Sequence, residues 1–348
     1  MVRSGKEHER FMEGVVYANL GKPSGRLRVR PAKGLDNGVV SIGDGRVMIV
    51  TTDPVSAIPA VGMRLSAWLS VHLIASDLTT SGADPEFATF SYNFPPAMTK
   101  RDRVEYVRSV GAECERLGIT IVAGHTGSYP GGGYTVIGSG TMFGFAEEGG
   151  YVTPSMAQVG DSIIMTKHAA IEATGSLAFS FPKFVEDKIG SRLAKKARSS
   201  LRLCSTVVDA RAARRFGLGR GGVTSMHDAT EGGVIGALGE MAAASARLFE
   251  VMVDRIPVTP EASGVCSAFG LDPLATMAEG ALLITCAPTK TEALLRTMSR
   301  AGAEAREIGR VREGTGLDLR GRERKGGTRP EKDPYWPAYE DAISRGLR

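Results

Sequence analysis

The stretch that most limits what this chain can fold into is residues 49–86, IVTTDPVSAIPAVGMRLSAWLSVHLIASDLTTSGADPE. It opens as a β-rich apolar run. From Gly62 to Thr80 the apolar residues then recur at helical spacing, with Leu65, Trp68, Leu69, His72, Leu73 and Ser76 on one broad face. Ser-Gly-Ala-Asp-Pro ends the helix, because proline cannot continue it. Two aspartates mark the element ends: Asp53 is expected to close the strand, and Asp77 falls late in the helix. An apolar strand followed by an apolar helix needs two packed layers, and a carboxylate at the end of each puts both at one cleft.

The flanking sequence continues the alternation. Two apolar runs surround a Gly-Asp-Gly turn in VVSIGDGRVMIV, a hairpin signal. FATFSYNF, ITIVAGHT and YTVIGSGTMFGF read as strands, and TKRDRVEYVRSVGAECERLG reads as a surface helix with a threonine cap and a glycine stop. Residues 5–20 carry Phe11, Met12, Val15, Val16 and Leu20 at helical spacing. EEGGYVTPSMAQVGDS reads as a linker. Beyond it come SIIMTK, helical stretches from about 171 to 216, SMHD, GGVIGALGEMAAASA, LFEVMVD, ALLITCA, KTEALLRTMSRAG and EIGRV. Hairpins mixed with crossovers favour an α+β fold over a purely parallel sheet.

A length of 348 residues exceeds one hydrophobic core, at roughly 150 residues per domain, so two domains are expected, 1–155 and 156–319, with a tail at 320–348. The net charge of +5 is concentrated in that tail, where residues 320–332 hold six basic and two acidic side chains. The body is nearly neutral, which argues against nucleic acid as the partner. Four widely spaced cysteines point to a reduced compartment rather than a disulfide scaffold, and no segment approaches the roughly 18 apolar residues of a membrane span. A cytoplasmic protein with no membrane partner is expected.

Asp53 and Asp77, with Asp36 in the turn KGLDNGVV, are hard oxygen donors of the kind that suit Mg²⁺. For a lone aspartate a turn or a solvated helix end is the commoner explanation, so the set carries the argument. VAGHTGSYPGGGY places His125 at a strand end before a glycine-rich loop whose N–H groups could form an anion nest. MHDATEGGVIGALGE places Asp228 at a strand end, Thr230 as a possible N-cap and Gly232-Gly233 at a helix start, where exposed N–H groups suit phosphate. In SIIMTKHAAIEATGSLA, Lys167 is a candidate for phosphate and Glu172 for substrate. His72, His125, His168 and His227 raise a transition-metal alternative, weaker because no two share close ligand spacing; His72, on an apolar face, reads as core. RGRERKGG reads as a solvated tail, and DPYWPAYE has aromatics that could dock on the body.

Taken in order, these stretches resemble the aminoimidazole ribonucleotide synthetase (PurM-like) superfamily over roughly residues 34–312, alongside thiamine-phosphate kinase, selenophosphate synthetase and the hydrogenase maturation factor that dehydrates a protein-bound carboxamide. Gly34-Leu35-Asp36-Asn37-Gly38-Val39 is similar to the family's Gly/Asp turn, and Thr52-Asp53 to its Thr-Asp strand end. The segment from Ser76-Asp77 to Gly82-Ala83-Asp84-Pro85 resembles its Asn-Asp to Gly-Ala-Pro segment. Ala123-Gly124-His125-Thr126, Asp228-Ala229-Thr230-Glu231-Gly232-Gly233 and Ala278-Glu279-Gly280 resemble later signatures.

The resemblance implies a two-domain α+β subunit whose N-terminal sheets close a shared barrel in a homodimer, with ATP and Mg²⁺ near that interface. It implies Asp36, Asp53, Asp77 and Asp228 as metal ligands. Asn37, Thr52, Gly124, Thr126, Thr230, Gly232 and Gly233, with Asp36 and Asp228, would contact the nucleotide, and Asp77, His125 and Lys167 would take catalytic roles. The implied reaction is phosphorylation of a carbonyl, amide or phosphate oxygen on a small-molecule or protein-borne substrate. The alternative is a non-catalytic nucleotide-binding accessory protein related to the hydrogenase factor. Departures bear on this. Asn37 and His125 stand where relatives carry acidic residues, Ser76 replaces an asparagine, and no cysteine precedes Cys114. The sequence ends in Arg348 where the hydrogenase factor has a terminal cysteine, so a chemistry other than carbamoyl dehydration is expected.

Overall fold

The computed structural model describes residues 5–321 and 332–348; most of the basic stretch 320–332 lies outside the described residues. Two six-stranded sheets follow each other along the chain. The first contains β1 Leu27–Val29, β2 Gly38–Gly43, β3 Arg46–Ser56, β4 Pro85–Phe94, β5 Thr120–Ser128 and β6 Val136–Glu147, in the order β1-β2-β3-β6-β4-β5. The second contains β7 Ser162–Thr166, β8 Val223–Ala229, β9 Leu248–Met252, β10 Ala281–Cys286, β11 Ala305–Arg312 and β12 Gly316–Arg320, in the order β12-β9-β11-β7-β10-β8. Among the described residues only the β4·β5 and β9·β12 strand pairs are parallel, so both sheets are mixed, in keeping with an α+β chain.

The helices are α1 Glu9–Phe11, α2 Met63–Thr79, α3 Lys100–Leu117, α4 Ile171–Ser180, α5 Pro182–Ile189, α6 Ser191–Ser199, α7 Val207–Phe216, α8 Gly233–Ser245, α9 Pro260–Ala268, α10 Thr291–Arg300 and α11 Tyr335–Ser344. The turn signals act as expected. The β2–β3 hairpin turns through Gly43, Asp44 and Gly45, all at positive φ, where glycine carries no steric penalty. Thr99 caps α3 by accepting the Asp102 N–H at 3.1 Å.

Four expectations change. Asp53 does not close its strand: β3 runs on to Ser56, pairing Asp53 with Gly140 of β6. Pro54 is tolerated there because β2 stops opposite Val50, leaving this end of β3 as an edge. Helix α2 is buried almost all round rather than on one face. Leu65 and Leu69 join the core under the second sheet, while Ala67, Val71, Ile74, Ala75 and Leu78 join that of the first, so the helix needs apolar residues on opposing sides. The supposed linker is packed: Tyr151, Val152, Thr153 and Pro154 are buried, and Pro154 O accepts Ser225 Oγ, covering the edge strand β8. Residues 5–20 form no regular amphipathic helix. α1 passes into a π turn at Met12–Val16 and a 3₁₀ turn at Tyr17–Asn19, with Phe11, Val15 and Leu20 exposed.

The segment DPYWPAYE does dock. Tyr335 is buried, and Trp336, Ala338 and Tyr339 pack against the cluster formed by α4, α5 and α9. β5 is an open edge, with Ile121 43% and Val122 55% exposed. No described helix is long and apolar enough to cross a membrane.

Candidate active site

Between the two sheets lies a cavity of about 640 Å³. β3 contributes Thr51, Thr52 and Asp53, the turn before β2 contributes Asp36, the last turn of α2 contributes Asp77, and the loop into α8 contributes Thr230, Glu231 and Gly232. Glu240 enters from α8, and residues 6–17 close another side.

The polar contacts hold this set together. The single Thr51 hydroxyl hydrogen faces two acceptors, Asp77 Oδ2 at 3.2 Å and the Asp36 carbonyl at 3.1 Å. The Asn37 amide donates to the Asp77 carbonyl at 2.8 Å and lies 3.1 Å from Thr80 Oγ1, so its nitrogen pins the α2 end rather than facing the cavity. Just behind Asp36, His227 bridges Asp36 Oδ2 at 2.7 Å and Glu240 Oε2 at 3.1 Å. Ligand atoms of Asp36, His227 and Asp228 all lie within 4.8 Å of one another. Asp228 is fully buried, and neither carboxylate oxygen has a hydrogen-bond partner.

Electrostatics follow from this crowding. Burial, then the Asp36 charge, pushes Asp228 up to about 7. Burial pushes Asp53 up to about 6, and burial with Asp228, Asp53 and Asp36 holds Asp77 well above the usual carboxylate range. Burial opposes charge on His227, but Asp36 and Glu240 outweigh it and hold the imidazole well above its ordinary value. The result is an acid cluster with one internal imidazolium, whose buried oxygens are short of positive partners. Hard carboxylate donors of this kind, including two orphaned oxygens, fit a divalent cation such as Mg²⁺.

The structure therefore brings Asp36, Thr52, Asp53, Asp77, Thr230 and Gly232 to one cavity, with Asp228 behind its wall. Other candidates lie elsewhere. Gly124, His125 and Thr126 sit on β5, two strands beyond β6, where His125 Nε2 meets Tyr129 Oη at 2.7 Å. The Lys167 ammonium is held by the Asp209 carboxylate and by the carbonyls of Gly280 at 2.7 Å and Ser205 at 3.0 Å. Glu172 opens α4 outside the cavity lining, and burial and Glu231 push it up to about 8.

Thr230 does not cap α8. Gly232, at φ 83, is the N-cap, and its N–H donates to Asp333 Oδ2 at 2.6 Å. The expected phosphate donor thus already has a carboxylate, which also accepts from Thr276 Oγ1 at 3.1 Å and Tyr335 N at 2.8 Å. Gly233 must be glycine, since at φ +65 a Cβ would lie 2.7 Å from the Thr276 carbonyl oxygen.

The residues that sequence reasoning left out are Lys6, Glu231, Glu240 and Asp333, and it weighed His227 only as a transition-metal ligand. Glu240 sits two helical turns into α8 and follows Gly233 by seven positions, a spacing that places it on the face of the helix start. Nothing local in the sequence marks Lys6 or Asp333.

Fold and cavity together define an α+β protein of two mixed sheets with an acid-lined seam between them. The chain belongs to the AIR synthase related protein family, whose N-terminal domain matches residues 34–146 and whose C-terminal domain matches residues 158–322. Carbamoyl dehydratase HypE of Rhizobium leguminosarum bv. viciae is 29% identical over 283 residues, covering 80% of this chain and 77% of that one. The fold is shared with AaThiL complexed with AMPPCP and TMP, at TM-score 0.71 and 18% identity, covering 92% of this chain and 95% of that one. It is shared also with the hydrogenase maturation protein HypE in complex with ATP, at TM-score 0.66 and 18% identity, covering 94% of this chain and 93% of that one.

Proposed function

We propose that this chain is a Mg²⁺-dependent, ATP-utilising enzyme that phosphorylates a carbonyl, amide or phosphate oxygen of a small-molecule or protein-borne substrate, acting as a homodimer. The observation that carries the reading is Asp228, wholly buried beside Asp36 with neither oxygen hydrogen-bonded; among the described residues its one ion-pair partner is the His227 ring at 3.9 Å, which is already engaged by Asp36. Two carboxylates are kept together in this way when a cation is to join them. Nucleotide complexes of the structurally similar AaThiL and HypE support ATP as the ligand.

Asp36, Asp53, Asp77 and Asp228 would hold Mg²⁺, which when bound supplies positive charge against the transferring phosphoryl group. The chain's own groups set the geometry. His227 fixes the Asp36 carboxylate by one oxygen, and Thr51 does the same for Asp77. With Oδ2 held by Thr51, Asp77 Oδ1 would either join the cation or, where the cation is held by Asp36, Asp53 and Asp228, accept the proton the substrate's amide or acid phosphate loses as its oxygen attacks. Residues 6–17 and Asp333 narrow the opening and limit water. All four cysteines are buried, so none offers a thiol as acceptor, and the substrate brings its own oxygen.

Calorimetric titration of ATP with Mg²⁺ into the wild type, Asp53→Asn and Asp77→Asn tests the reading, with folding of each checked by circular dichroism. Binding that requires Mg²⁺ and is lost in both variants is expected. A folded wild type that binds no ATP would overturn it. The second reading, a non-catalytic accessory role, draws on Asn37, whose amide is turned to the α2 end where relatives have a carboxylate. ADP release on adding cell extract, in excess of that with extract and the folded Asp77→Asn variant, separates the two, since only an active enzyme adds to the background.

A further inference from the structure

We infer that the segment around Lys6 is a working part of this cavity: it presents the Lys6 ammonium to the ligand's anionic groups, and Glu231 holds it in place by tying it to Trp336 of α11. The identity of the anion rests on the nucleotide reading above. The fastening rests on geometry alone.

Glu231 engages a different part of the chain with each oxygen. Its Oε2 accepts the Lys6 backbone N–H at 2.8 Å, and its Oε1 accepts Trp336 Nε1–H at 3.1 Å. The two captured segments also touch each other, since a Cβ built on Gly5 would lie 2.8 Å from Trp336 Cδ1. One carboxylate and one packing contact therefore make a three-part clasp at the lip of the cavity.

The Lys6 side chain then turns inward. Its Nζ donates to the Thr230 hydroxyl at 3.0 Å, a neutral partner, and among the described residues no carboxylate is paired with it. An ammonium has three donors, so two remain. Lys6 as a residue is exposed at the lip; crowding around its ammonium opposes the charge, but the carboxylates of Glu240, Asp77, Glu279 and Asp36 outweigh this through space and hold it above the ordinary lysine range. A lysine whose task was to neutralise the acids would sit in contact with one. Lys6 instead lines the same cavity as the acids and, among the described residues, pairs with none of them. A polyanion entering that cavity would meet the ammonium on one side and the carboxylate cluster, with its cation, on the other. Phosphate oxygens are the matching acceptors, since charge-assisted N–H···O bonds to them are strong and short.

The test uses the full chain with Mg²⁺ present and ATP as probe, in the wild type, Lys6→Met, Lys6→Arg, Glu231→Gln and Trp336→Phe. Hydrogen exchange of residues 5–17 is followed without nucleotide. Lys6→Met is expected to weaken ATP by about tenfold or more, with an unchanged thermal midpoint in the absence of nucleotide, and Lys6→Arg to recover most of the affinity. Glu231→Gln and Trp336→Phe are each expected to speed exchange across residues 5–17, although Trp336 lies in the opposite terminal segment. Lys6→Met binding ATP as tightly as the wild type, or more tightly, would overturn the role of the ammonium. Exchange unchanged in Trp336→Phe would overturn the clasp. A wild type that binds no ATP removes the nucleotide reading and the phosphate role together, while the exchange result still decides the clasp.

Discussion

Replacing Asp228 by asparagine should make the metal-free protein more stable at pH 8 and less able to hold a cation. In the folded chain Asp228 is pushed from 3.8 up to about 7, first by burial and then by Asp36. The sign follows from proton linkage. Between those two values the folded state keeps the proton that the unfolded state has released, so stability falls as pH rises from about 4 to about 7. The slope is about 1.4 kcal/mol per pH unit. Over roughly three units this amounts to about 4 kcal/mol of destabilisation at pH 8. Asparagine removes that cost, but burying its amide at a position where neither Asp228 oxygen is hydrogen-bonded costs about 1–3 kcal/mol. A net gain of about 1–3 kcal/mol at pH 8 remains. At pH 4, where Asp228 is neutral in the folded state and only about half ionised in the unfolded one, little of that cost has accrued and the variant should equal or fall below the wild type. Urea unfolding from pH 4 to 8 in chelator should therefore give stability curves that cross. Adding Mn²⁺ at pH 8 should raise the wild-type midpoint and leave the variant nearly unmoved. A variant less stable than the wild type at every pH from 5 to 8 would refute the reasoning.

Lys167→Met leaves the buried Asp209 carboxylate without its cation, so urea denaturation should show a loss of about 3–5 kcal/mol, with ATP affinity of the folded fraction unchanged because Lys167 is not in the cavity lining. Asp333→Ala frees the Gly232 N–H and the Thr276 hydroxyl, and should lower stability by about 1–3 kcal/mol in the same assay. Thr99→Ala removes the cap of α3 and should lower the thermal midpoint by the equivalent of about 1 kcal/mol, leaving nucleotide binding untouched.

What the sequence made legible depended on how local the cause was. The β2–β3 hairpin and the cap and stop of α3 were readable because a few adjacent residues decide them. Asp36, Asp53 and Asp77 could be proposed as a set because each stands near the end of an apolar run. The end of β3 was misjudged because Pro54 is a strand breaker only where a neighbour needs its N–H, and whether β2 reaches that far is a matter of register. The one-sided reading of α2 failed for a related reason: a helix between two cores shows apolar residues all round, and periodicity alone cannot report the second core. The fate of the α8 N-terminus was invisible, since the carboxylate that takes its N–H comes from Asp333, 101 positions away. His227 was visible as a histidine, but its bridge between Asp36 and Glu240 exists only in three dimensions.

The bridge from His227 to Asp36 also sets an order of events during synthesis. The two residues are 191 positions apart, so at about 5–20 residues per second Asp36 leaves the ribosome roughly 10–40 s before its imidazole does. In that interval the acids of the first sheet stand together with neither the His227 charge beside them nor Glu231 to hold the Lys6 segment across them. The first sheet must therefore tolerate an open, mutually repelling cluster, which protonation of raised-pKa carboxylates or a passing divalent ion can relieve. Translation from His227 onward then turns that exposed acid surface into an enclosed one, with Asp333 among the latest parts to arrive.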